Sequence, residues 1–157
     1  MLELSIPGLG EYRLSHLVLD VNGTLACDGA LLPEVAEKLG PIRDVLNVHL
    51  LSSDTHGRLD AIAQQLGVPA SRVRMGQPEA EQKAAFVRQL NASSVVAIGN
   101  GANDVGMLKE AAIGIIILGP EGLAVDALTA SDVAVGSIAD ALDLLIHPKR
   151  LTATLRR

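Results

Sequence analysis

The sequence predicts an α/β protein with a Rossmann-like, three-layer sandwich fold, in which helices cover both faces of a central parallel sheet. Short runs of Val, Ile and Leu alternate with amphipathic segments of helical length, which is typical of parallel strands joined by helical crossovers. The 157 residues, 48% of them hydrophobic, are enough for one such core. Polar residues also follow several predicted strands, where the ligands of such sheets bind.

The N-terminal segment is predicted to form a β-hairpin ahead of the sheet. Apolar and polar residues alternate over residues 2–6, Pro7-Gly8-Leu9-Gly10 supplies a turn, and the alternation resumes at Tyr12 and Leu14. We therefore expect a single domain over 1–157, made of a hairpin at 1–15, a core at 16–146 and a C-terminal helix at 147–157.

The first half of the predicted core contains two buried strands and a small flap. The apolar residues before Asp20 predict a strand over 16–20, and Cys27-Asp28-Gly29-Ala30 contains the Asp-Gly pair typical of a hairpin turn. Pro33 suits the first turn of a helix that extends to about residue 44. A second buried strand is predicted over 45–51, directly before the polar residues 52–54.

The second half repeats the alternation of helix and strand. Hydrophobic periodicity and turn residues such as Gly67 predict helices near 57–66, 79–90, 104–112 and 121–130. The apolar runs between them predict strands at 73–75, 95–98, 113–118 and 133–135, and helices around Pro148 close the chain.

Composition and charge argue against a nucleic-acid-binding protein. The formal charge is −5, and Tyr12 and Phe86 are the only aromatic residues apart from histidine. Binding to nucleic acid would need clustered cations and stacking rings. The basic pairs Lys149-Arg150 and Arg156-Arg157 are better explained as favourable charges near a helix C-terminus.

The sequence further predicts a cytoplasmic protein. The single cysteine, Cys27, permits no intramolecular disulfide, and the N-terminus lacks a basic segment followed by a long apolar run. The longest apolar run, Ile115 to Leu118, is far below the roughly 18 residues needed to cross a bilayer. We therefore expect no membrane partner.

Residues with complementary chemistry are predicted to meet at one edge of the sheet. Asp20 ends the first core strand and is followed by a glycine turn and a hydroxyl, Ser52 follows the second strand, and residues 100–104 follow a third. Lys83, on an intervening helix, would bring a cation to the same edge. This set suits phosphoryl transfer, in which cations and donors bind phosphate oxygens and carboxylates hold Mg²⁺.

Four motifs in order resemble those of the haloacid dehalogenase superfamily of aspartate-dependent phosphohydrolases. They are Asp20-Val-Asn-Gly-Thr-Leu25, Leu50-Leu-Ser52, Lys83, and Gly99-Asn-Gly-Ala-Asn-Asp-Val-Gly-Met-Leu108. The resemblance covers about Leu17 to Leu145. Its pattern is most similar to the cytoplasmic phosphorylation domain of P-type ATPases, without any membrane part.

The resemblance implies that Asp20 attacks phosphorus to form an aspartyl-phosphate, which is sensible chemistry for a carboxylate. Lys83 would neutralise both Asp20 and the phosphate oxygens. Backbone N–H groups and hydroxyls would surround the phosphoryl group, and the implied phosphate-binding set is Asn22, Gly23, Ser52, Ser53 and Lys83.

The resemblance also implies Mg²⁺ as cofactor. Asp20 would bind it through its carboxylate and Asn22 through its backbone carbonyl. Asp104 would complete the site directly or through water, with Asn100 beside it.

Two amides depart from the pattern of the family's phosphatases. An aspartate at the position of Asn22 normally protonates the leaving group and later activates water, which is help worth about 10² to 10⁴ in rate. Asn100 replaces the first aspartate of the fourth motif, which removes a negative charge from the metal site. P-type ATPases also lack an aspartate at the position of Asn22, and their phosphoenzyme persists. We therefore expect a slow hydrolase; the alternative is a catalytically weak phosphate-binding or protein-interaction module.

The spacing of the motifs predicts an open site without a cap domain. The intervals from Leu25 to Ser52 and from Ser52 to Lys83 hold only enough residues for the core elements. We therefore expect a phosphorylated small molecule or a phosphoprotein as substrate, and homo-oligomer formation is one way in which the site would be covered.

Each motif residue also has a simpler explanation. Asp20 would serve as a turn residue at a strand end, Ser52 as a helix cap and Lys83 as a solvated surface cation. Among other folds, a phosphoacceptor receiver domain is disfavoured because its acid pair precedes its acceptor aspartate. A nucleotide-binding Rossmann module is disfavoured because Gly99-Asn-Gly101 lies late in the chain and lacks a third glycine at the required spacing.

Overall fold

The structure is a computed structural model that describes the whole chain, residues 1–157. Its strands are β1 (Leu2–Ile6), β2 (Gly10–Leu14), β3 (His16–Leu19), β4 (Ala26–Cys27), β5 (Ala30–Leu31), β6 (Asn47–Ser52), β7 (Ala70–Arg72), β8 (Val95–Gly99), β9 (Ile113–Ile117) and β10 (Val133–Val135). Its α-helices are α1 (Pro33–Arg43), α2 (Leu59–Leu66), α3 (Glu79–Gln89), α4 (Val105–Glu110), α5 (Val125–Thr129), α6 (Ile138–Ile146) and α7 (Pro148–Leu155). No helix combines the length and the apolar character that a membrane span requires.

The central sheet has the strand order β10-β9-β8-β3-β6-β7 and is parallel throughout. β3 lies in the middle, and its residues are buried on both faces: Leu17 and Leu19 join one apolar cluster and Val18 joins another. The first cluster includes residues of α1, α2, α6 and α7, and the second includes residues of α3, α4 and α5. The predicted three-layer α/β fold is therefore confirmed.

The predicted N-terminal hairpin is present. β1 and β2 are antiparallel, with Leu2 opposite Leu14 and Ile6 opposite Gly10, and alternate residues of β1 are buried. The end of the chain is attached to its turn, because the Arg157 N–H donates a 3.0 Å hydrogen bond to the Pro7 carbonyl.

The predicted strand at 73–75 is wrong, because pairing with β6 begins earlier in the chain. Gly67 adopts a left-handed conformation, with φ of 63°, that ends α2 and turns the chain back towards the sheet. The Leu50 N–H already donates to the Pro69 carbonyl, and the last ladder bond runs from the Val73 N–H to the Ser52 carbonyl. Apolar character alone did not fix this register.

The predicted helix at 121–130 is shorter, since α5 begins only at Val125. Residues 119–122 instead form a tight turn in which the Gly122 N–H donates a 2.9 Å bond to the Gly119 carbonyl. The predicted helix at 104–112 likewise begins with a 3₁₀ turn at Ala102–Asp104 and ends at Glu110.

The predicted flap is present and no cap domain accompanies it. β4 and β5 pair across Asp28 and Gly29, whose φ angles of 50° and 77° are typical of the turn that an Asp-Gly pair forms. Only this flap and α1 lie between β3 and β6, and only α2 and β7 lie between β6 and α3. The edge where β3, β6 and β8 end is therefore left uncovered by any inserted domain.

Candidate active site

A buried lysine lies between two aspartates at the carboxyl edge of the sheet. The Lys83 ammonium donates hydrogen bonds to Asp20 Oδ1 at 2.7 Å and to Asp104 Oδ1 at 2.6 Å. Lys83 and Asp104 are 0% exposed and Asp20 is 3% exposed. A buried charge is costly unless it is paired, so the three side chains stabilise one another as a unit.

Close packing of α3 against α4 places this lysine. Gly106 lies so near α3 that a Cβ on it would be 2.0 Å from the Ala80 carbonyl oxygen. Since Ala80 and Lys83 share α3, the approach that Gly106 allows brings the ammonium to the segment that carries Asp104. Any larger residue at 106 would separate the two helices.

The pKa values of Asp20 and Lys83 are set by burial and by the neighbouring charges. Burial raises the pKa of Asp20 from its usual 3.8 to about 6, repulsion from Asp104 adds to the rise, and Lys83 opposes it. Burial alone would lower the pKa of Lys83, but the charges and hydrogen bonds of the two aspartates raise it on balance. Lys83 therefore remains an ammonium, and with a pKa of about 6 the Asp20 carboxyl is mostly ionised at pH 7.

Asp104 faces inward and both of its oxygens already have donors. Oδ1 accepts from Lys83, and Oδ2 accepts from the backbone N–H groups of Asn100 at 3.0 Å and Gly101 at 2.9 Å. Oδ2 is therefore fully occupied, while Oδ1 keeps one lone pair for a cation or a bridging water.

Thr24 connects Asp20 to Asn100, a link that the sequence motifs did not assign. The buried Thr24 hydroxyl lies 3.1 Å from Asp20 Oδ2 and 3.2 Å from Asn100 Oδ1. It has one proton for these two acceptors, so the site holds more acceptor oxygens than donors. The Asn100 amide nitrogen donates to the Gly122 carbonyl at 3.0 Å, which directs its oxygen towards Thr24.

Ser52 and Asn22 lie together at the end of β6. The Asn22 amide donates to Ser52 Oγ at 3.3 Å, and the Asp54 N–H donates to the same oxygen at 3.0 Å. Because Ser52 Oγ accepts both bonds, its own proton is free to be donated to a phosphate oxygen. The hydroxyl of Ser53 instead lies 3.3 Å from that of Thr55.

The oxygen donors of this edge fit Mg²⁺, which prefers carboxylate, carbonyl and water ligands. Asp20 contributes a carboxylate and Asn100 an amide oxygen. The Asn100 oxygen shares the single Thr24 hydroxyl proton with Asp20 Oδ2. The backbone carbonyl of Asn22 accepts no hydrogen bond from the protein. The oxygens available to hold the cation therefore belong to Asp20, Asn22 and Asn100. Asp104 is more deeply buried, next to Lys83.

Fold and site together define the class: a Rossmann-like α/β protein with lysine-bridged aspartates at the carboxyl edge of its parallel sheet. A profile of the haloacid dehalogenase-like hydrolases matches residues 1–112, a span that contains Asp20, Ser52, Lys83 and Asp104. The chain belongs to the haloacid dehalogenase-like hydrolase family.

Two of the similar proteins have ATPase in their names. A soluble P-type ATPase-like phosphatase of Methanocaldococcus jannaschii is 28% identical over 138 residues, which cover 83% of this chain and 50% of that protein. A probable phospholipid-transporting ATPase 12 of Arabidopsis thaliana is 39% identical over 80 residues, 49% of this chain and 7% of that protein. This chain thus matches half or less of the length of these two relatives.

Solved structures repeat the fold. The 3-deoxy-D-manno-octulosonate 8-phosphate phosphatase of Moraxella catarrhalis, in complex with a magnesium ion, a phosphate ion and a KDO molecule, superposes with a TM-score of 0.63 at 20% identity. The superposition covers 91% of this chain and 94% of that one. At 20% sequence identity, this superposition shows that the two proteins share a fold.

Proposed function

We propose that the protein is a Mg²⁺-dependent phosphohydrolase that forms an aspartyl-phosphate on Asp20 and turns over slowly because Asn22 replaces a general acid and base. Its substrate class is a phosphomonoester or a phosphoanhydride. Family membership and the phosphatase among its relatives support the general activity. The geometry of the site supports the particular residues.

The observation that carries the proposal is the buried Lys83 held between Asp20 and Asp104. Apolar side chains of similar size would often stabilise a core equally well, so stability alone gives little reason for three buried charges. A fixed ammonium beside a carboxylate nucleophile has a clear chemical use, because it offsets the repulsion between that carboxylate and an incoming phosphate.

The proposed reaction has two steps. In the first, Asp20 Oδ2 forms a bond to phosphorus while the bond to the leaving oxygen breaks, and that oxygen keeps the electron pair. Oδ2 is the better candidate nucleophile because Lys83 holds Oδ1. In the second step water attacks phosphorus, the bond to Asp20 breaks, and inorganic phosphate leaves as the water proton passes to solvent.

Asn22 limits both steps. Its amide does not titrate, so it neither protonates the leaving oxygen nor takes a proton from water, a deficit of about 10² to 10⁴ in rate. Leaving groups that depart readily as anions need no such acid. We therefore expect acetyl phosphate and aryl phosphates to react faster than alkyl phosphates.

Mg²⁺ held by Asp20, the Asn22 carbonyl and the Asn100 amide oxygen would neutralise charge on the phosphoryl oxygens. The protein's own donors would orient the same group. Ser52 has a free hydroxyl proton. The Gly23 backbone lies beside Asn100, but its N–H already donates a 2.8 Å hydrogen bond to the Ala26 carbonyl.

The uncovered edge supports a phosphorylated small molecule or a phosphoprotein as substrate. A homo-oligomer would be one way to cover this edge, and we place the activity in the cytoplasm.

The decisive test is a set of assays with Mg²⁺ on acetyl phosphate, an aryl phosphate and an alkyl phosphate. Asp20→Asn should abolish release of phosphate. Asn22→Asp should accelerate the alkyl substrate most, by about 10² or more. Asp44→Asn, at an exposed position at the end of α1, is the matched control and should match wild type. Wild-type rates in Asp20→Asn would refute the mechanism.

The alternative, a phosphate-binding or interaction module, is favoured by the state of the two amides. Asn22 is bonded to Ser52 and Asn100 to Gly122, so both amides already have hydrogen-bond partners. Beryllofluoride bound tightly with Mg²⁺, combined with no phosphate release from any of the three substrates, would select this alternative.

A further inference from the structure

Glu121 is a carboxylate beside the crevice that none of the four motifs includes. It lies in the tight turn of residues 119–122, which packs on the backbone that follows Asp20. A Cβ on Gly119 would be only 2.6 Å from the Gly23 carbonyl oxygen. The main chain therefore holds this turn, with the exposed Glu121 on it, against the backbone that follows Asp20.

Glu121 and Asn100 both lie beside the Gly23 backbone. A Cβ on Gly23 would lie 2.9 Å from Glu121 Oε2, 2.6 Å from Asn100 Nδ2 and 3.0 Å from Asn100 Oδ1. The carboxylate of Glu121 thus borders the residue at which the family's usual aspartate is replaced by an amide.

No cation of the protein neutralises Glu121. It takes part in none of the chain's ion pairs. Its Oε1 accepts only a 3.3 Å bond from the Asp28 N–H of the flap. The Asp28 carboxylate and the Cys27 sulfur lie near it, with all three ligand atoms within 4.8 Å of one another. The other oxygen, Oε2, is the one that faces the Gly23 and Asn100 side of the crevice.

We propose that Glu121 supplies the metal site with the negative charge that Asn100 lacks, and so sets the affinity for Mg²⁺. This inference rests on the proposed function of the same site. Mg²⁺ gives up its water reluctantly and usually keeps several bound waters, so a carboxylate beside the ligands acts on it through those waters. Replacing such a neighbouring group typically weakens metal binding by about 10-fold to 100-fold.

The test is calorimetric titration of the metal-free full-length chain with MgCl₂. We expect Glu121→Gln to weaken binding about tenfold or more. Adding Asn100→Asp to that variant should restore the affinity, because the charge returns at the neighbouring position. Glu37→Gln, at an exposed position in α1, is the control and should stay within about twofold of wild type.

The outcomes separate this inference from the proposed function. Unchanged Mg²⁺ affinity in Glu121→Gln, together with lost binding in Asp20→Asn, overturns the role of Glu121 and leaves the phosphohydrolase proposal standing. Slower turnover at unchanged affinity also overturns it. If wild type and Asp20→Asn bind Mg²⁺ equally poorly, the magnesium-dependent function itself is overturned.

Discussion

Replacing Lys83 with methionine would remove the cation between two buried carboxylates while keeping a long side chain. Asp20 and Asp104 are only 3% and 0% exposed, so water cannot take the place of the ammonium. Breaking a buried ion pair from one side costs about 3–5 kcal/mol. Because Lys83 contacts both carboxylates, at 2.7 and 2.6 Å, we expect a loss near the upper end of that range.

A loss of about 5 kcal/mol would lower the melting temperature of a chain of this size by roughly 10–20 °C. The loss should shrink in acid. Lys83 holds the pKa of Asp20 down, so in Lys83→Met this carboxyl takes up a proton at higher pH and the unpaired charge is removed. Urea unfolding in EDTA at pH 7.5 and pH 5 measures both effects.

Lys38→Met is the matched control. Lys38 pairs with Asp143 at 2.6 Å, but their side chains are 27% and 31% exposed, so its loss should cost no more than about 1 kcal/mol. If Lys83→Met unfolds within about 1 kcal/mol of wild type at pH 7.5, the buried triad does not stabilise the fold as argued.

Three further predictions concern the same site. Since the pKa of Asp20 is raised to about 6, its contribution to stability is complete below about pH 4 and is lost as pH rises through 6. In Asp20→Asn the free energy of unfolding in urea should therefore change less with pH over this window than in wild type. The same pH dependence in both proteins would contradict this. Gly106→Ala should destabilise by about 1–3 kcal/mol through its contact with Ala80, whereas Gly40→Ala, with nothing within 4 Å, should be neutral or stabilising; equal melting temperatures would count against the helix contact. Thr24→Val should cost about 1–3 kcal/mol by removing a buried donor, and Thr24→Ser should recover most of it; no recovery would show that the methyl group matters instead.

The order of motifs predicted which residues meet, because parallel strands carry their carboxyl ends to one edge. Asp20 and Asn100 directly follow β3 and β8, and Ser52 is the last residue of β6; these three strands are neighbours in the sheet. The alternation of apolar runs predicted those strands correctly. It misplaced β7 because a short apolar run does not record which residue begins to pair.

Thr24 and Glu121 show where sequence reasoning stopped. A hydroxyl four residues after Asp20 was visible, but nothing in the spacing indicated that it would also reach Asn100, 76 positions away. Glu121 lies in a segment whose pattern predicted a helix, and a solvated helical glutamate carries no functional signal. Only the turn at 119–122 and its contact with Gly23 bring this carboxylate to the crevice.

The sequence by itself determined the class of fold, the edge at which the chemistry lies and the two amides that depart from the family pattern. These depend on residue type and order, which hydrophobic periodicity and strand direction translate directly into position. The tertiary structure alone decided that Lys83 is buried between two aspartates, that Asp104 faces inward, and that Glu121 borders Asn100. Those facts depend on contacts between segments far apart in the chain, whose distances and burial no local pattern specifies.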